Sequence, residues 1–104
     1  MNKFIIASNG ADSAHRNMIT LFFHEKPEWG FWHHFEEFWM VNGGPEQMTA
    51  KQLWDTLVET NPTLGNVSLI VIKLPVGNQG MTYWGRSKKD GWDWMKTQGW
   101  GNAA

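Results

Sequence analysis

Short apolar runs and helical stripes alternate along this chain. Lys3-Phe4-Ile5-Ile6-Ala7-Ser8 is rich in β-formers and ends at Asn9-Gly10, which predicts a buried first strand. Asp12 or Ser13 then caps a helix over 13–26, with Ala14, Met18, Leu21 and Phe22 on one stripe and Pro27 as its stop. From Trp29 to Val41 the chain is dense in aromatics and predicts a β-hairpin turning at Glu36-Glu37. Simple alternation puts Phe31, His33 and Phe35 on one face of its first strand and Trp32 and His34 on the other. Phe38 to Val41 form the second strand.

Asn42-Gly43-Gly44-Pro45 reads as a loop. Thr49 with Gln52 makes a capping box, and Ala50, Leu53, Trp54, Leu57 and Val58 give a helical face over 49–60, ended before Pro62. Ser68 to Leu74 is β-branched and predicts a second buried strand. The order strand, helix, strand, strand, helix, strand fits one α+β domain over 1–104, with a split βαβ core over 1–75. Such a core is a four-stranded antiparallel sheet with two helices on one face. The extension over 76–104 predicts a short edge strand at Met81 to Trp84. A terminal helix follows, started by Ser87 with Asp90 and closed by Gly99, with Gly91 as an unfavourable interior residue.

Composition narrows the function. A formal charge of −1 and a pI near 6.4 provide no overall basic field for nucleic acid. With no cysteine there are no disulfides and no thiol catalysis, which suits a reducing cytoplasm. The sequence has no apolar run of about 18 residues, so no membrane insertion is expected. Eight tryptophans are many for one small core, and predict that some serve a ligand or partner surface. Helices on one face only leave the other to a second copy, so a homodimer is expected.

Several patterns compete as sites. Neighbouring His33 and His34 project to opposite faces of a strand and cannot hold one metal ion together. Ser8 or Ser13 with His15 and Asp12 could supply a nucleophilic triad, yet no nucleophile elbow surrounds them. Asn9-Gly10 and Gly77-Asn78-Gln79-Gly80 match no phosphate-loop fingerprint and read as turns. Arg86, Lys88, Lys89 and Lys96 interleave with Trp84, Trp92, Trp94 and Trp100, a mixture of cations for phosphate and rings for base stacking. The same residues also suit a solvated helix whose tryptophans pack on the sheet.

The pattern resembles the SinR-like proteins, a family related to the small CRISPR-associated ferredoxin-like endoribonucleases. The likeness lies in Phe4-Ile5-Ile6-Ala7, the Trp-His hairpin from Trp29 to Val41, Thr49 to Leu74, and the tail with Trp84-Gly85 and Trp92-Asp93-Trp94. It implies a ferredoxin-like βαββαβ fold, a dimer and a nucleic-acid setting. In catalytic relatives the first strand ends in an aspartate that holds a divalent metal, where this chain has Ser8-Asn9-Gly10. Neutral Asn9 is a poor magnesium ligand, and Asp12 would have to fold back to replace it.

These readings predict a non-catalytic homodimeric module for a nucleotide or short single-stranded nucleic acid. Its expected contacts are Asn9, Trp32, His34, Trp84, Arg86, Lys88 and Trp92, with no cofactor and no membrane. A magnesium-dependent endoribonuclease, with Asp12 as a weak metal candidate, and a protein-assembly module are the alternatives.

Overall fold

The computed structural model describes residues 2–75, 82–83, 89–100 and 102–103, the two short pairs as backbone only. The main sheet contains β1 (Lys3–Asn9), β2 (Gly30–Phe35), β3 (Phe38–Asn42) and β4 (Ser68–Lys73), in the order β2-β3-β1-β4 with every neighbouring pair antiparallel. Helix α1 (Ser13–His24) joins β1 to β2, and α2 (Ala50–Thr60), followed by a 3-10 turn at Pro62–Asn66, joins β3 to β4. The fold is therefore α+β with a four-stranded antiparallel sheet.

Local chemistry accounts for both helix starts. Asp12 accepts the His15 N–H at 2.8 Å. Thr49 and Gln52 form a reciprocal capping box, with bonds of 3.1 and 2.8 Å. The first helix ends at His24, two residues before the predicted Lys26, with the Glu25 N–H closing on the Leu21 carbonyl.

One core lies between these helices and the sheet. Phe4 and Ile6 of β1, Trp39 and Val41 of β3, Ile19, Phe22 and Phe23 of α1, and Leu53 and Leu57 of α2 are buried in it. The stripe of α1 is rotated from the expected one: Leu21 is 51% exposed, while Ile19 and Phe23 face inward. The run Met18 to Phe23 supports two overlapping stripes, and the observed one buries both phenylalanines.

Three further expectations are corrected. The predicted edge strand belongs to a separate parallel ribbon, β5 (Thr82–Tyr83) with β6 (Asn102–Ala103). Helices do not cover one face only, because α3 (Lys89–Thr97) lies on the other. The strand β4, read as buried, is an edge: Ile70 is 55% and Ile72 43% exposed. Gly99 at φ 72° ends α3, and the N–H groups of Gly99 and Trp100 return to the carbonyls of Lys96 and Met95. Among the described residues no helix is long and apolar enough to cross a membrane.

Candidate functional site

The face opposite α1 and α2 is built from two rows of cross-strand neighbours. Register places Phe35, Phe38, Ala7 and Ile70 in one row, and Trp32, Met40, Ile5 and Ile72 in the next. Over the β2 end of the second row lies α3, packing Met95 and Trp100 with half-buried Trp92 and Trp94 against Trp32 and Met40. At the β4 end nothing among the described residues covers Ile70 and Ile72, and Phe35 is 50% exposed at the opposite end of the first row. Among the described residues, three of the four exposed large hydrophobics thus share one face, a pattern that marks interaction surfaces.

A bulge corrects the expected alternation in β2. Trp32 pairs with Met40 and Phe35 with Phe38, so His33 and His34 together stand opposite Trp39. His33 stacks on Trp39 in the main core, 4.4 Å between ring centres and 6° apart, with its Nδ1 3.0 Å from the Phe38 carbonyl. The extra residue turns Phe35 away from Phe31 and His33 and onto Trp32 and Phe38. His34, on the outer face, packs against Trp32 at 4.8 Å.

The interior glycine of α3 has its explanation here. A Cβ at Gly91 would come within 2.7 Å of Trp32 Nε1 and 3.1 Å of the His34 ring. Only glycine lets the helix approach β2 this closely. Trp32 is 3% exposed and its Nε1–H has no hydrogen-bond partner among the described residues, a cost carried by the burial of the rest of the indole.

Buried Asn42, read as part of a loop, ties the tail to the sheet. Its Nδ2 donates to Gln98 Oε1 at 2.9 Å, and its Oδ1 accepts from Trp100 Nε1 at 3.4 Å. The missed signal was a polar residue two places after Met40, on the same side of a continuing strand.

At the end of β1, Asn9 pairs with Ser68 and lines a shallow depression with Ala7, Ser8, Leu69 and Ile70. The turn residue Glu37 closes the neighbouring corner: one carboxylate oxygen accepts from the Ala11 N–H at 2.7 Å and the Ser8 hydroxyl at 3.2 Å. The Ala11 N–H, helped by the Gly10 N–H, Ser8 and Arg16, holds the Glu37 carboxyl below its ordinary value despite desolvation. With the Ser8 hydroxyl donating to Glu37, the Ser8 version of the triad is not assembled. Asp12 is held below the usual carboxylate range chiefly by the His15 N–H it caps, and the same oxygen lies 2.9 Å from His15 Nδ1.

Of the predicted contacts, Asn9 and His34 occupy the same face at the same end of the sheet, on strands separated by β3. Trp32 is core, and Trp92 is half-buried on the side of α3 that packs against it. Trp84, Arg86 and Lys88 lie outside the described residues. The outer side of α3 pairs Lys89 with Asp93 at 2.8 Å, each charge favouring the other: Asp93 shifts down and Lys89 up. No group of three His, Asp or Glu side chains among the described residues is placed to hold a metal ion. No family model, curated protein or solved structure matches the chain.

Proposed function

We propose that this chain is a non-catalytic protein-assembly module that works as a homodimer through the uncovered part of its sheet. The observation that carries this reading is the exposure of Ile70 and Ile72 side by side at the β4 end of the two apolar rows. Aliphatic side chains of this size favour a protein partner, since neither a phosphate nor a sugar gains from contact with them. Support for a ferredoxin-like βαββαβ fold comes from the strand order, which read from β4 is β4-β1-β3-β2 with α1 and α2 on one face. The likeness to SinR-like proteins is a proposal resting on the quoted sequence stretches. Assignment to the cytoplasm rests on the cysteine-free sequence. The non-catalytic part is supported by Asp12 and Glu37, whose carboxylates are engaged by backbone N–H groups.

A second reading has its own observation. Phe35 and Phe38, 6.1 Å apart at the end of the sheet that carries His34 and Asn9, form an aromatic pair on which a nucleotide or single-stranded RNA could stack. Light scattering at about 100 μM, with tryptophan fluorescence during titration of single-stranded RNA at two salt concentrations, separates the two. A dimer indifferent to RNA supports assembly. A monomer with a salt-sensitive fluorescence response supports the nucleic-acid reading.

A further inference from the structure

Resting on the assembly reading, the register of the sheet points to how the second copy joins: we infer that β4 pairs antiparallel with β4 of the second copy, with the two-fold axis at Val71. The Ser8 N–H donates to the Glu37 carbonyl on the β3 side, and the Leu74 N–H donates to the Lys3 carbonyl. Antiparallel ladders alternate, so Ser68, Ile70 and Ile72 direct their backbone groups toward β1, and Leu69, Val71 and Lys73 direct theirs outward. No strand among the described residues lies beyond β4. The edge is lightly protected: from Ser68 to Ile72 there is no proline and no charge, Lys73 and Pro75 stand only at its end, and its pairing with β1 is unbroken.

Centring the pair on Val71 satisfies both the backbone and the exposed side chains. Val71 then exchanges both hydrogen bonds with Val71 of the second copy, and Leu69 does so with Lys73. Ile70 falls opposite Ile72 in a non-hydrogen-bonded position, where cross-strand side chains come closest. All four exposed isoleucines are thereby coupled. A two-fold through Ile70 would instead place Ile72 against Ser68. Charge is compatible as well, because each Lys73 faces a leucine and the two lysines are roughly 13 Å apart along the strands, beyond a Debye length. The product is a continuous eight-stranded sheet with an α3 at each end of its open face. Edge pairing buries less than the roughly 1,200 Å² of a standard stable interface, so dissociation in the micromolar range is expected.

The test is a pair of double variants of the full chain, read by sedimentation equilibrium with circular dichroism as the folding control. Ile70→Lys with Ile72→Lys puts like charges opposite each other in this register, whereas Ile70→Lys with Ile72→Glu puts opposite charges there. Both remove the same apolar surface. The Lys/Glu variant should dimerise on the order of tenfold more tightly than the Lys/Lys variant at low salt, and the gap should close at high salt. A wild-type dimer with both variants equally monomeric, or both equally dimeric, overturns the Val71-centred pairing and leaves the assembly reading standing. A wild-type protein that stays monomeric at 100 μM overturns both. Val71→Pro gives an independent check, because the N–H it removes points outward from β1, although it also changes a side chain that packs on the main core. If folded, it should be monomeric, and a folded dimer would again overturn the pairing.

Discussion

The indole N–H of Trp100 donates to Oδ1 of Asn42, joining residues 58 apart in sequence, and this contact helps decide where the tail of the chain goes. Asn42 is 1% exposed and also donates to Gln98, so it serves two residues that flank the glycine closure of α3. Asn42→Ala leaves a buried indole N–H and a glutamine oxygen without these bonds. The expected loss is about 2–3 kcal/mol. It would be read as a lower urea midpoint, with tryptophan emission shifting to the red as Trp100 gains water.

Gly91→Ala tests the docking of α3 from the other side. Alanine improves the intrinsic helix by up to about 1 kcal/mol. The new methyl, however, meets Trp32 Nε1 at 2.7 Å and His34 at 3.1 Å, and overpacking of that kind costs about 1–3 kcal/mol. The steric cost should win. Near-UV circular dichroism should weaken while far-UV helix content holds, and a variant more stable than wild type would contradict the close approach.

Much of the fold was legible because its signals are local. The Thr49 and Gln52 box, the Glu36-Glu37 turn, the Asp12 cap and the Gly99 stop each depend on residues within a few positions of one another. What could not be read depends on partners far along the chain. An apolar run such as Ser68 to Leu74 looks the same whether it becomes a central strand or an edge, and only the order β2-β3-β1-β4 exposes Ile70 and Ile72. The bulge at His33 and His34 escaped for a related reason: one extra residue, set by pairing with Trp39, moves Phe35 to the other face. Tryptophan content suggested ligand surface, yet Trp32, Trp39 and Trp100 are consumed by packing. Among the described residues, the large hydrophobics left exposed are mostly aliphatic.

Glu37 makes the acid limb of the stability curve informative. Its folded-state value lies below 4.5, chiefly through the Ala11 N–H, so ionised Glu37 contributes stability above its unfolded value. That contribution is lost as pH falls from 4.5 through the lower folded value. Glu37→Gln removes a titrating group and should flatten the fall in melting temperature in this window. Equal slopes for the two proteins between pH 5 and 3 would show that the Ser8, Ala11 and Glu37 corner adds nothing to acid stability.

Asp12 separates a helix cap from a metal ligand. As a cap it accepts the His15 N–H at 2.8 Å, a role that asparagine fills about as well and alanine does not. As a magnesium ligand it would need its charge, which asparagine lacks. Asp12→Ala should therefore lower the melting temperature by roughly 5 °C. Asp12→Asn should recover most of that loss, falling short only by the attraction of the carboxylate to the helix start and to His15. Adding 10 mM magnesium should leave all three proteins unchanged, since stabilisation by a bound ion grows with its concentration over its dissociation constant. A magnesium-dependent rise seen in wild type and absent from both variants would make Asp12 a ligand and put the endoribonuclease reading first. Cleavage of RNA by the unmodified protein, dependent on magnesium and abolished in Asp12→Asn, would do so directly.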